Sequence, residues 1–267
     1  MTLSFSTKLK LFLRSIKILK NWYYYPLIYF KLVKKPYIFL KTKNGLELKI
    51  RTSPSTDIHI FTEIWLMNIY SKFASHLIKD GTIIDVGAHT GLFVTFFSRI
   101  CSEGKIICYE PNNENYEILK ENVQINNLNN VILNKQAVLS KPGFITLFLN
   151  DHDSASHSVI KKTKNSVKVE ATTIKKIFKN NSIKYCELLK LDCEGSEFDI
   201  LINLENELFH KIKKMIIEYH NIPEVSFTDD DLIKKLKENN FEVKYKIDSE
   251  KSGLIFAENT NVVTLNS

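Results

Sequence analysis

Thr82-Ile83-Ile84-Asp85-Val86-Gly87-Ala88-His89-Thr90-Gly91 is the stretch that decides the fold. Residues of strand character (Thr82 to Ile84, Val86) run into a turn marked by Gly87 and Gly91. A helical apolar pattern, Leu92-Phe93-Val94-Thr95-Phe96-Phe97, follows at once. A buried strand, a tight glycine turn and a helix N-terminus together open a nucleotide-binding α/β unit. Gly87 has no Cβ, so the backbone there is expected to approach a ligand closely. Gly91 is expected to let the helix start near the strand.

The spacing narrows the ligand. A dinucleotide turn reads G-x-G-x-x-G, and its middle glycine makes room for a pyrophosphate. Here the order is Asp85-x-Gly87-x-x-x-Gly91, with His89 at the middle position. A phosphate loop of the G-x-x-x-x-G-K-[ST] type is absent. The turn therefore suits a nucleoside without phosphates. Glu110 agrees with this, ending a second strand-like run, Lys105 to Glu110, 25 residues after Asp85. A carboxylate there can accept both ribose hydroxyls.

These residues carry a family resemblance. Asp85-Val-Gly-Ala-His-Thr-Gly91 with Tyr109-Glu110-Pro111 resembles the cofactor half of a class I methyltransferase. Leu188-Leu-Lys-Leu-Asp192-Cys-Glu194-Gly195-Ser-Glu197 and Ile216-Ile-Glu218-Tyr-His220 resemble the later motifs of the FkbM-type methyltransferases. The second pair of motifs is the more specific, and the resemblance spans roughly residues 57–258. It implies S-adenosylmethionine as cofactor and a Rossmann-like α/β fold. That fold has a mostly parallel sheet, helices on both faces and a C-terminal antiparallel hairpin. It also implies cofactor contacts at Asp85, Gly87, His89, Gly91 and Glu110, and an adenine contact near Gln136-Ala137-Val138. Asp57 and Glu63 match acidic positions in the segment that covers the cofactor in that family.

The rest of the chain reads consistently with this fold. Asp57 to Lys72 has helical spacing. Pro111-Asn112 opens a helix striped by Tyr116, Leu119 and Val123. Val131 to Val138, Gly143 to Asn150 and Val167 to Ala171 read as strands. Glu187 to Leu191 is a central strand, apolar apart from Lys190, and Ser196 is expected to cap the following helix. Ile212 to Ile217 is another buried strand. Thr228 with Asp229-Asp230-Asp231 opens a late helix, and Phe241–Ile247 and Leu254–Glu258 form the closing hairpin. Asp85, Glu110, Asp192, Glu194, Glu218 and His220 all fall at the carboxyl ends of strands, where ligands lie in open α/β sheets. The loop from Asp151 to Ser158 holds two His and two Asp. It reads as a solvated loop, a metal-binding loop or a substrate loop at the mouth of the site.

The resemblance implies transfer of a methyl group to a hydroxyl, often of a sugar or secondary metabolite. Such transfer is an in-line displacement that depends on positioning, and an alcohol must also lose its proton. His220 is the first candidate base, as a neutral imidazole, with Asp192 or Glu194 second. Glu218 would orient His220 or bind hydroxyls. Catalysis without a metal is expected, although Asp192 and Glu194 with a third oxygen ligand could hold a divalent ion. His89 disfavours a dehydrogenase. Asp192-Cys-Glu-Gly, in place of Asn/Asp-Pro-Pro-Tyr, disfavours an enzyme methylating nucleic-acid amino groups, and an RNA methyltransferase remains a weaker alternative. A membrane-associated binding module that keeps the fold without turnover is the non-enzymatic alternative.

Charge is unevenly distributed. Residues 1–51 carry twelve Lys or Arg and one acid, a net of +11, while the whole chain is +7, so residues 52–267 sum to −4. Two regions are expected: a basic, aromatic-rich arm over 1–51 and the methyltransferase domain over 52–267. The arm's pattern from Lys8 to Lys20, followed by Trp22-Tyr23-Tyr24-Tyr25-Pro26, suits an amphipathic helix. Residues 1–35 could lie on an anionic membrane, pack on the domain, or meet nucleic acid, which is the least favoured. No uncharged run nears the roughly 18 residues that a span requires. Cys101, Cys108, Cys186 and Cys193 lack paired spacing and fit a reducing compartment. The expected location is cytoplasmic, with a peripheral place at the inner membrane face as the alternative if the arm binds lipid.

Overall fold

A computed structural model describes residues 4–54, 56–70, 79–150, 153–248 and 252–261. Its strands are β1 (Tyr37–Lys41), β2 (Glu47–Arg51), β3 (Thr82–Val86), β4 (Lys105–Tyr109), β5 (Val131–Asn134) and β6 (Ala137–Val138). They continue with β7 (Gly143–Leu149), β8 (Asn165–Thr172), β9 (Cys186–Leu191), β10 (Ile212–His220), β11 (Phe241–Asp248) and β12 (Ser252–Asn259).

Seven strands form the central sheet in the order β11-β12-β10-β9-β3-β4-β5. The pairs β10–β9, β9–β3, β3–β4 and β4–β5 are parallel. β12 runs antiparallel between β10 and β11, as the expected closing hairpin. Alternation along each strand sorts neighbouring side chains onto opposite faces. Ile83, Ile106, Leu188, Ile216 and Phe256 join one core. Ile84, Ile107, Leu189, Ile217 and Ile255 join the other. Leu119 and Val123 of helix Asn113–Ile125 cover the first face. Ile177, Phe198 and Leu232, from three further helices, cover the second. Both faces being dry, the inner strands are almost wholly apolar, as in parallel sheets generally.

The arm is built into the first core. Leu11 and Leu19 are buried there with Phe61 and Phe93. β1 and β2 pair around Asn44-Gly45, with Leu40 opposite Leu48 and both fully buried. Burial of each such side chain contributes about 1.5–3 kcal/mol. The free edge of β2 is satisfied by two Asn side chains one helical turn apart. Asn122 bonds Lys49 N and O at 2.7 and 3.0 Å, and Asn126 bonds Glu47 N and O at 2.8 and 2.6 Å.

Three local expectations are corrected. Residues 131–138 are not one strand: β5 stays in the central sheet, while β6 joins β7 and β8 in a separate three-stranded sheet. The segment after Thr56 is α-helical only to Phe61 and π-helical over Thr62–Met67, ending at Asn68 in the left-handed region. Residues 71 and 72 of the expected helix lie outside the described residues. The helix after Asp192 begins with Gly195 as its cap, and Ser196 is its first residue with no side-chain cap.

Candidate active site

The β3–helix loop is held from beneath. Gly87 N and Ala88 N both donate to Tyr109 O, at 2.9 and 3.0 Å, and Asp192 N donates to Val86 O at 3.1 Å. A Cβ on Gly87 would lie 1.8 Å from the Asp192 carbonyl oxygen. The neighbouring strand by itself thus demands glycine there, a reason the sequence did not show. Gly91 likewise answers to packing, since a Cβ would meet Leu119 Cδ1 at 2.5 Å.

Asp85 is fully buried and faces Lys190, its register partner on β9, across 3.2 Å. It lines neither cavity described below. The direct cofactor contact expected of it has no counterpart in the lining of either cavity, and its carboxylate is turned to Lys190 instead. Burial raises the Asp85 carboxyl against the pull of Lys190. Lys190 Nζ also lies 3.1 Å from Gly87 O and 3.3 Å from Asp192 Oδ2. Burial works against that ammonium, but Asp85 and Asp192 outweigh it and push its pKa up.

Two cavities meet above this floor. The first outlines about 660 Å³ of empty space, open to solvent, and its lining includes Glu110, Asn115, Gln136, Ala137, Ser154 and Cys193. The second outlines about 790 Å³, and its lining includes Glu63, Tyr70, Lys190, Glu218 and His220. Gly87, His89, Ala155, Asp192 and Glu194 border both. Four expected cofactor residues (Gly87, His89, Glu110, Ala137) thus share one cavity, and all four expected catalytic residues (Asp192, Glu194, Glu218, His220) share the other.

In the first cavity, Glu110 accepts His89 N at 2.8 Å on one oxygen and Asn112 N at 2.9 Å on the other. Burial lifts its carboxyl to about 7 against those hydrogen bonds. His89 sits at φ +50°, and its Nε2 is 3.0 Å from Arg51 Nη2 and 3.2 Å from Ser154 Oγ. Burial drives its imidazole down to about 4, with Asp57 opposing and Arg51 adding to the shift. A neutral His89 can accept from Arg51, so its 3.9 Å approach to Asp57 is not an ion pair. Arg51 is itself held by Asp57 Oδ1 at 2.9 Å, with both side chains buried. Of the loop read from Asp151 to Ser158, Ser154, Ala155 and His157 line this cavity. Asp153 accepts from Thr56 Oγ1 and Ser156 Oγ, and Ser158 Oγ donates to Glu194 O. Residues 151 and 152 of that loop lie outside the described residues.

In the second cavity, Glu197 organises the turn after β9. Fully buried, it accepts Cys193 N at 2.6 Å and Gly195 N at 2.8 Å. Its Oε1 lies 3.4 Å from His220 Nδ1, and Glu194 Oε1 lies 3.5 Å from His220 Nε2. Burial opposes charge on His220, but the Glu197 hydrogen bond and the charges of Glu197, Glu194 and Asp192 prevail and lift it to about 10. The neutral imidazole base expected at His220 is thus the disfavoured form, because both ring nitrogens face carboxylates. Glu218 is raised well above the carboxylate range, first by burial and then by Asp192. Burial also raises Glu194, to about 7. Ligand atoms of Asp192, Glu218 and His220 lie within 4.8 Å of one another.

A family model described as the methyltransferase FkbM domain matches residues 85–243. The chain belongs to the FkbM methyltransferases. Among similar proteins, Methyltransferase 1 of Beauveria bassiana (strain ARSEF 2860) is 24% identical over 160 residues, covering 52% of this chain and 64% of that protein. Methyltransferase sdnD of Sordaria araneosa is 22% identical over 191 residues, covering 60% and 73%. A crystal structure of P. horikoshii TYW2 in complex with MeSAdo superposes with a TM-score of 0.47 at 11% identity, covering 84% of this chain and 71% of that one.

S-adenosylmethionine is the cofactor of this FkbM chain, and the first cavity fits its nucleoside. The buried Glu110 carboxylate lines it beside Gln136 and Ala137, and the sequence holds no phosphate-binding loop. The reading of the sequence missed Asn115 here and Arg51 behind His89, and Lys190 and Tyr70 in the second cavity. Lys190 had a signal, as the lone charge in an apolar strand. Arg51 had none, because its place depends on the hairpin folding back onto the loop.

Proposed function

We propose that this chain transfers the methyl group of S-adenosylmethionine to a hydroxyl of a polyhydroxylated acceptor, a sugar or a secondary metabolite. The observation that carries this reading is the second cavity, where Glu63, Asp192, Glu194 and Glu218 face one space. Carboxylates accept hydrogen bonds from hydroxyls and repel phosphates, which speaks against an RNA acceptor. The cofactor supplies an electrophilic methyl on a sulfonium centre. Glu110 would accept the ribose hydroxyls, and the Gln136–Ala137 side would border the base. Glu218 would take the acceptor proton, since a base works best with a pKa near the working pH. The His220 imidazolium and Lys190 would offset the negative charge of Asp192 and Glu194, so the site is expected to work without a divalent ion.

Calorimetric titration of S-adenosylmethionine should give binding that weakens about 10–100-fold in Glu110→Gln, which turns a charged acceptor into a neutral amide. Equal affinity in the variant would remove Glu110 from the ribose. Turnover of labelled S-adenosylmethionine should then be followed against polyol, amine and RNA acceptors. Methylation of a hydroxyl is expected, and transfer only to the amine or RNA would overturn the acceptor class. Binding without turnover on any acceptor would favour a module that keeps the fold. EDTA is expected to leave turnover unchanged. A loss restored by Mg²⁺ would assign a cation to Asp192, Glu218 and His220.

A further inference from the structure

Exposed apolar side chains concentrate in the arm. Ten of the seventeen large exposed apolar residues among the described residues lie before residue 40. Helix Phe5–Ile18 shows how they are arranged. On a helix of 3.6 residues per turn, Leu11, Ser15 and Ile18 share one side, and these are the residues turned into the core. Phe5, Leu9 and Leu13 lie on roughly the opposite side, at i, i+4 and i+8. They are 83%, 47% and 50% exposed. Partly buried Phe12 and Ile16 fall on the same outward side. A helix that only had to pack on the domain would carry polar residues there. The ridge continues into the aromatic cluster, because Phe12 meets Trp22 edge-on at 5.6 Å and Trp22 meets Tyr23 at 6.3 Å.

Charge identifies the occupant. Lys8 flanks the ridge on one side, and Lys10 and Lys17 on the other. No Asp or Glu occurs before Glu47, whereas ten Lys or Arg do. Arg14 is committed to the body through the Leu66 carbonyl, which leaves the flanking lysines for an outside partner. An apolar ridge bordered by lysines, with Trp and Tyr at its end, has the composition of a helix lying in a membrane interface. Among the described residues no helix is long and apolar enough to cross a membrane.

We infer that the outward face of helix Phe5–Ile18, with Trp22 and Tyr23, docks the protein on an anionic lipid bilayer. The apolar side chains enter the headgroup boundary and the lysines meet the lipid phosphates. The face that packs on the domain stays packed, so docking does not require the arm to detach.

The test is sedimentation of the full chain with vesicles of phosphatidylglycerol and phosphatidylcholine, beside phosphatidylcholine alone. The protein should pellet with the anionic vesicles. The pair Leu9→Glu/Leu13→Glu changes only exposed residues and should weaken partitioning by about tenfold or more. Each of Lys8→Gln, Lys10→Gln and Lys17→Gln should weaken it by about fivefold. S-adenosylmethionine affinity, unchanged in every variant, reports the intact fold. Wild-type protein left in the supernatant would overturn the inference, as would full partitioning of the Leu9/Leu13 pair. A dimer in sedimentation velocity that the same pair dissolves would assign the ridge to a second copy. Binding to an RNA oligomer but not to vesicles would assign the lysines to nucleic acid.

Discussion

Gly87→Ala is expected to destabilise the chain by about 4 kcal/mol or more, the range reserved for a few identifiable mechanisms. Two of these act together. Gly87 sits at φ +79°, where an L-residue costs about 1–2 kcal/mol. The added Cβ would also lie 1.8 Å from the Asp192 carbonyl oxygen and 2.8 Å from its carbon. That neighbour is backbone at the end of β9, and β9 is locked to β3 through Val86–Leu191 and the Asp192 N to Val86 O bond. Relief would require the seam between the two central strands to open. Gly45→Ala is the control, since Gly45 has φ +90° and its nearest neighbour in that direction is Arg99 Nη2 at 3.9 Å. It should lose only the conformational part. Urea unfolding of both variants separates the effects, and equal losses would mean that the contact with Asp192 is not what demands glycine.

The same glycine shows what a sequence reveals and where it stops. Strand, turn and helix were legible because each has a local pattern. The address of Asp192, Glu194, Glu218 and His220 was legible because ligands gather at the carboxyl ends of parallel strands. The reason for Gly87 was not, since Asp192 lies 105 residues later. The surroundings of Asp85 were hidden in the same way. Its position suggests a cofactor contact, yet its pairing with Lys190 is visible only once β3 and β9 are in register. The β5–β6 break at Lys135-Gln136 carries no Gly or Pro. Apolar periodicity therefore ran on across a point where the chain leaves one sheet for another. The ionisation of His220 was out of reach too, because it depends on Glu194 and Glu197 from one turn converging on a histidine from another strand.

That convergence is the reason the proposed mechanism gives the basic role to Glu218 rather than His220. If Glu218 removes the acceptor proton, Glu218→Gln should lower kcat by about 10²–10⁴ and leave S-adenosylmethionine affinity unchanged, because Glu218 lines only the second cavity. The pH dependence gives the sharper readout. A base acts when ionised, so wild-type kcat/KM should rise with pH through the raised pKa of Glu218, near 8. In Glu218→Gln that limb should vanish. The causes of the shift are burial first and the Asp192 charge second. Asp192→Asn should therefore move the limb to lower pH while burial keeps it above the ordinary carboxylate range. His220→Gln should move it upward, since the imidazolium now favours the ionised carboxylate. Opposite displacements by these two neighbours are what a titrating Glu218 requires. A limb that stays fixed in both variants, or near wild-type turnover in Glu218→Gln, would return the proton to another group. Glu194, lifted to about 7, would then be the carboxylate to remove.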